Sequence, residues 1–328
     1  MPHRRKRNGF LEESRMSLLR VASVGLGLVV LAAVWFGFTL FARVKHFKRW
    51  MTLCGVFLIV LGVVGWSAPT ELFKRTWHIL NGELVDVGGY YLRIECEGRG
   101  KPVVIMEEGL GQDRTTWREV APAVGKFTRV CVYDRAGRGG SDAGLPPRTS
   151  QHMVDELAAL LNHAQIPGPY ILVGHSFGGA NIRLFAGEHP NSVVGMVLVD
   201  ASHEDEADRY AAVLTGEARE ALLREQRGEN GENADLITSM AQVRNAPPLP
   251  PIFLTVLSAD PQMYDPEHPE ISRELQAKLA QLLPNSKHIV VAQTGHFIQV
   301  QQPQIVIDAI QEMVKAARTK YPALVAAQ

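Results

Sequence analysis

Cysteine is scarce. The 328 residues hold three, Cys54, Cys96 and Cys131, too few and too widely spaced for a disulfide framework or a Cys-rich metal centre. Read as unpaired thiols, they agree with a reducing compartment. Net charge is also missing, with 34 Lys+Arg against 34 Asp+Glu, and the only basic clusters flank apolar runs. Phosphate contacts need clustered Lys/Arg, so a general nucleic-acid binder is excluded. No internal repeat is evident, which argues against a solenoid. What is present is a chain 46% apolar and 21% charged, with 29 Gly and 19 Pro, long enough to bury a sizeable core and neither disordered nor low in complexity.

The zero net charge divides unevenly. Residues 1–70 carry ten Lys/Arg against Glu12 and Glu13, leaving 24 basic against 32 acidic residues in the rest. After a basic tail (1–20), 22 uncharged residues lie between Arg20 and Arg43, long enough as a helix for the ~30 Å hydrocarbon core. A second uncharged run extends from Trp50 to Thr70. The pattern predicts a transmembrane hairpin over 21–68, with spans 21–42 and 51–67, a linker at 69–80, and a body from 81 to 328. A cleaved signal peptide is the rival for the first run, but that run exceeds the usual ~7–15-residue apolar region and a second follows closely. Lys/Arg in the tail and at Lys74 and Arg75 outnumber those of the connection Arg43–Trp50, which favours a cytoplasmic body and an inner or plasma membrane address.

From Asn81 onward, short β-rich runs alternate with amphipathic stretches, the pattern of an α/β domain with a mostly parallel sheet. Strands are predicted near Glu83–Val87, Tyr90–Glu97, Val103–Met106, Arg129–Tyr133, Tyr170–Val173, Val193–Val199, Ile252–Leu257 and His288–Val291. Helices are predicted near Thr115–Val124, Gln151–His163, Phe177–Glu188, Ser272–Leu282 and Gln304–Lys320. The alternation stops over about 203–250, where charged helix-forming residues end in a Pro-rich run. That segment reads as a helical lid between two strands, or as a solvated excursion.

Within Ile171-Leu172-Val173-Gly174-His175-Ser176-Phe177-Gly178-Gly179-Ala180 a G-x-S-x-G pattern sits between a β run and a helical run. A strand-to-helix turn tight enough to project the Ser176 side chain needs Gly174 and Gly178, where a Cβ would clash. The helix N-terminus that follows offers unpaired N–H groups and a positive dipole end to a developing oxyanion. Ser176 is therefore the candidate nucleophile, with an ordinary helix N-cap as the rival reading.

From Asn81 to its end the chain resembles the α/β-hydrolase fold family, in its lipase, esterase and peptidase branch. Val103-Val104-Ile105-Met106-Glu107-Glu108-Gly109-Leu110-Gly111 is similar to the strand-then-loop segment the family writes with a His-Gly pair, with Glu108 in the position of the His. The resemblance implies an oxyanion hole made by the Leu110 and Phe177 N–H groups. Tyr133-Asp134-Arg135-Ala136-Gly137-Arg138-Gly139-Gly140-Ser141-Asp142 is similar to the family's Asp-Arg-x-Gly-x-Gly-x-Ser segment and reads as structural. A phosphate-binding loop is the alternative, but the segment lacks the Lys-Ser/Thr ending.

A serine hydroxyl needs a base. His296 follows the last predicted strand, where the family places its catalytic His; His175, next to Ser176 on a tight turn, is a poor candidate. For the acid that orients the imidazole, Asp260 matches the family's usual position after the penultimate strand, with Asp200 as the alternative and Asp265 behind both. The resemblance implies a mostly parallel eight-stranded sheet with helices on both faces and acyl transfer to water through Ser176, Asp260 and His296, without metal or cofactor. The expected partners are a small acyl substrate, lipid among the options, and a bilayer through residues 21–67, with no nucleic acid. The ester reading leads; amide or peptide hydrolysis and a non-catalytic membrane-tethered binding or signalling module are the rivals.

Overall fold

The computed structural model describes residues 82–322. The basic tail, the two apolar runs at 21–42 and 51–67 and the linker lie outside the described residues. Among the described residues no helix is long and apolar enough to cross a membrane.

Eight strands form one sheet, each within a residue or two of its predicted place: β1 Glu83–Asp86, β2 Tyr91–Glu97, β3 Val103–Glu107, β4 Val130–Asp134, β5 Tyr170–His175, β6 Val193–Val199, β7 Phe253–Ala259 and β8 Lys287–Val291. Their spatial order is β1-β2-β4-β3-β5-β6-β7-β8. The first two strands pair antiparallel with each other and β2 with β4, and every other pairing is parallel. Every residue of β3, β4, β5 and β6 is buried, because helices cover both faces.

Side chains alternate between two cores. Val103 and Ile105 of β3 and Leu172 of β5 face one side, against α2 (Ser150–His163) and α3 (Phe177–Glu188). Val104, Met106, Ile171 and Val173 face the other, against Trp117, α1 (Ala121–Val124) and α10 (Pro303–Lys320). The helix predicted over 115–124 is two pieces, a 3₁₀ turn at Arg114–Trp117 and then α1. Asp113 caps the turn through the Thr115 N–H, and Pro122 falls in the first turn of α1, where a missing N–H costs nothing.

Between β6 and β7 stand α4 (Glu206–Val213), α5 (Gly216–Gln226) and α6 (Leu236–Arg244). The last of these helices packs against the body, whereas α4 and α5 bury no residue. The Ser150 N–H donates to Ser239 Oγ at 2.9 Å, the Gln151 N–H to Gln242 Oε1 at 2.9 Å, and Leu236 and Val243 join the core. Beyond β7 come α7 (Pro261–Tyr264) and α8 (Pro269–Ala280), and after β8 comes α9 (Ile298–Gln301).

One expectation fails. Cys96 and Cys131 are not unpaired thiols but a disulfide, directly opposite each other across β2 and β4. A separation of 35 residues hides a neighbourhood that only the antiparallel pairing creates. Disulfides persist in oxidising compartments, so the cysteines no longer support a reducing one. Alkylation of the denatured, unreduced protein should modify one cysteine, Cys54, and three after reduction; mass spectrometry finding three modified sites without reductant would refute the pairing.

Candidate active site

Ser176 joins β5 to α3 with φ +51° and ψ −124°, a conformation that L-residues avoid at a cost of about 1–3 kcal/mol. Its surroundings enforce it. A Cβ at Gly174 would stand 2.7 Å from the Gly178 carbonyl oxygen, and one at Gly178 would stand 2.4 Å from that of Glu108. The Ser176 N–H donates to the Val199 carbonyl at 3.2 Å, and the Ser176 carbonyl accepts from the Ser202 N–H at 3.0 Å, which ties the turn to the end of β6. Phe177 opens α3, so its N–H has no helical acceptor.

His296 lies in the loop between β8 and α9. Its Nδ1–H donates to Asp200 Oδ2 at 2.6 Å, which leaves Nε2 unprotonated and available as a base. Asp200 sits just past β6 with φ +41°, is 3% exposed, and accepts the Ala259 N–H through Oδ1 at 2.8 Å. The Tyr264 ring stacks on the His296 imidazole at 5.0 Å between centroids. His175 is fully buried, and burial holds it neutral, well below the ordinary histidine range. Its Nε2–H donates to the His296 carbonyl at 3.0 Å, so it supports the loop and does not act as the base.

Asp260, the expected partner of the imidazole, is engaged elsewhere. It caps α7, accepting the Gln262 N–H at 3.1 Å through Oδ1 and the Gln293 N–H at 3.1 Å through Oδ2. Asp265 accepts the His268 N–H and the Tyr210 hydroxyl. The carboxylate on His296 is Asp200, the residue sequence reasoning ranked second. The missing glycine in Leu257-Ser258-Ala259 was the available signal against Asp260.

The loop carrying Leu110 is held by a buried ion cluster. Arg135, 1% exposed, donates to the Glu108 carbonyl and, at 2.7 Å, to the Gly109 carbonyl. The same guanidinium meets the cap residue Glu232 at 3.0 Å through Nε and 2.5 Å through Nη2, while Glu232 Oε1 accepts the Gly111 N–H at 2.7 Å. The Glu108 side chain, in the position of the family's His, turns inward and accepts the Arg135 N–H at 3.0 Å. Glu107 accepts from Asn181 at 2.7 Å. One guanidinium thus faces three carboxylates away from water. Burial raises Glu107 to about 7 and Glu108 to about 8, with Arg135 pulling both back, whereas the guanidinium holds Glu232 below its ordinary range against the opposing effect of its own burial. Arg135 and Glu232 were missed as supports of the site because their partners are distant in sequence.

Leu110, Ser176, Phe177 and His296 open onto one cavity of about 330 Å³, roofed by the cap through Glu206, Tyr210, Leu222 and Met240. Among the described residues no group of three or more His, Cys, Asp or Glu is arranged to hold a metal ion.

A mostly parallel eight-stranded sheet with a strained serine after its fifth strand and a His–Asp pair after later strands has the architecture of the α/β-hydrolase fold. Residues 102–242 match the family described as alpha/beta hydrolase fold. A thermophilic esterase from Thermogutta terrifontis superposes with a TM-score of 0.54 at 22% identity, covering 72% of this chain and 98% of that one. Together these show the α/β-hydrolase fold. Among curated proteins, the chain is 38% identical over 140 residues to a probable transporter, efuK, of Hormonema carpetanum, covering 40% of this chain and 20% of that protein. It is 27% identical over 222 residues to the uncharacterized YqjL of Bacillus subtilis, covering 67% and 87%. To an uncharacterized vacuolar membrane protein of Saccharomyces cerevisiae it is 34% identical over 113 residues, covering 33% and 18%. The chain therefore spans only about a fifth of the length of some of the curated proteins it matches.

A carboxyl raised in the folded state contributes stability that is fully present below its unfolded value and is lost as pH rises through its folded value. For Glu108 that window runs from 4.5 to about 8. Gln keeps an acceptor for the Arg135 N–H and cannot ionise. The stability of Glu108→Gln relative to wild type should therefore climb between about pH 5 and pH 8 in urea titrations, and a difference independent of pH would refute the assignment.

Proposed function

We propose that this protein is a serine hydrolase that transfers an acyl group to water, with a carboxylic ester as the leading substrate. The observation carrying the proposal is the His296 Nδ1 to Asp200 Oδ2 hydrogen bond on the wall of the cavity that Ser176 enters. Ser176 Oγ attacks the carbonyl carbon as His296 Nε2 takes its proton. Asp200 holds the tautomer and stabilises the imidazolium. The Leu110 and Phe177 N–H groups receive the oxyanion, worth about 10²–10³ in rate for one donor. His296 then protonates the leaving group, the ester bond breaks, and a water deprotonated by His296 releases the carboxylic acid. A hydroxyl at the elbow, where epoxide-opening and dehalogenating members of this fold carry a carboxylate, argues for acyl transfer. Amide substrates share the same steps and are the second reading.

The membrane address of residues 21–67 belongs to this proposal. It rests on the two uncharged runs and gains support from the similarity to a vacuolar membrane protein. The Cys96–Cys131 pairing favours a body on the oxidising side.

A fluorophosphonate should label wild-type protein and not Ser176→Ala; no labelling together with no turnover of any ester would overturn the enzyme reading. Asp200→Asn should lower kcat by about 10⁴-fold. Asp260→Asn, which disturbs a helix cap and the contact with the Gln293 N–H, should stay within about tenfold of wild type, and the reverse ranking would restore Asp260 as the acid. The full chain should stay with membranes after alkaline carbonate extraction and residues 69–328 should not; release of the full chain would refute the anchor.

A further inference from the structure

The cap carries three consecutive acids, Glu204, Asp205 and Glu206, and they have different surroundings. Glu204 pairs with Arg183 at 2.8 Å, and Asp205 with Arg244 at 2.8 Å and Lys278 at 3.6 Å. Glu206 has no Lys or Arg partner among the described residues and lines the cavity with Ser176 and His296. It also lines the small recess behind, together with Asp200, Tyr210, Tyr264 and His296. The cavity wall includes a second carboxylate, Glu225, and neither Lys nor Arg.

Carboxylate charge without a counter-charge beside two tyrosine rings is a combination suited to a cation. The carboxylate supplies Coulombic attraction that strengthens as water is displaced, and the Tyr210 and Tyr264 faces supply cation–π attraction. Burial holds the Glu206 carboxyl above its ordinary range, with His296 drawing it down and Asp200 pushing it up, which sets this side chain beside the His–Asp pair. Among the described residues no Lys or Arg pairs with this carboxylate, so a ligand cation bound there gains most.

We propose that the cavity selects acyl substrates bearing a cationic nitrogen within a few bonds of the scissile carbonyl, held by Glu206, and discriminates against substrates bearing a carboxylate there. This deepens the acyl-transfer reading and rests on it. Glu206 acts as a specificity residue: it holds the substrate's ammonium group, and the bond-making steps remain with Ser176 and His296.

The test uses the full chain in detergent and a matched pair of esters, a choline ester and its neutral isostere, the 3,3-dimethylbutyl ester of the same acid. Wild type should favour the choline ester in kcat/KM by about tenfold or more. In Glu206→Gln the ratio should fall toward one, whatever happens to the absolute rates, because the ratio is internal to each variant. Asp208→Asn, exposed on the same helix and equal in formal charge change, should keep the wild-type ratio. A wild-type ratio at or below one, or a ratio unaltered by Glu206→Gln, would overturn the inference while turnover of the neutral ester and fluorophosphonate labelling left the hydrolase reading standing. Absence of both turnover and labelling would sink the hydrolase reading. Binding of tetramethylammonium to wild type but not to Glu206→Gln, followed by calorimetry, would then still support the cation site, and no binding to wild type would overturn it.

Discussion

The site depends on holding Ser176 in a conformation its backbone disfavours. A residue at φ +51° reverts to an ordinary geometry unless the chain on both sides is fixed, and here three strands fix it. Behind the serine, β5 is buried along its whole length. Beside it, Val199 and Ser202 hold its N–H and carbonyl to the end of β6. In front, the close approach of Gly178 to the Glu108 carbonyl sets the end of β3 against the first turn of α3. The same constraint thus brings the Leu110 loop next to Ser176. The positions of Ser176 and of the Leu110 and Phe177 N–H groups are consequences of one local packing problem.

The Leu110 loop has a second requirement, met by a buried charge. Arg135 alone among three carboxylates is a costly arrangement, since desolvating ions is repaid only where geometry and hydrogen bonding are good. The guanidinium spends its donors on two backbone carbonyls of the loop and on Glu232 of the cap, and Glu232 returns an acceptor to the Gly111 N–H. Two of the carboxylates meet the remaining cost by titrating high, so that the cluster need not hold three full negative charges at neutral pH. The backbone that presents the Leu110 N–H is therefore joined to the cap, and the roof of the cavity and the Leu110 loop are parts of one hydrogen-bonded unit.

Most of the sheet was legible because buried parallel strands write themselves as continuous apolar runs, as in Val193–Val199, and because Gly174, Ser176 and Gly178 are a local steric solution visible in five residues. What was not legible depends on pairings across the fold. Cys96 and Cys131 meet through an antiparallel register, Arg135 and Glu232 across 97 positions, and Asp200 and His296 across 96. Asp260 and Asp200 both end buried strands and both precede loops near the site, so distance along the chain does not separate them. The decision rests on where each carboxylate finds donors: the α7 start and Gln293 satisfy Asp260 with backbone N–H groups, which leaves the imidazole to Asp200.

The acidic excess of the chain beyond residue 70 also takes on meaning from its placement. Glu204 and Asp205 are matched by Arg183, Arg244 and Lys278, whereas Glu206 and Glu225, which line the cavity, have no Lys or Arg partner among the described residues. In the proposed reaction a neutral ester becomes a carboxylate, which a cavity lined by Glu206 and Glu225 without a basic side chain would repel. The charge proposed to hold a cationic substrate would then also speed release of the acid. A lipid surface with anionic headgroups would be repelled by the same field, so a small soluble amine-bearing ester fits this cavity better than an anionic lipid.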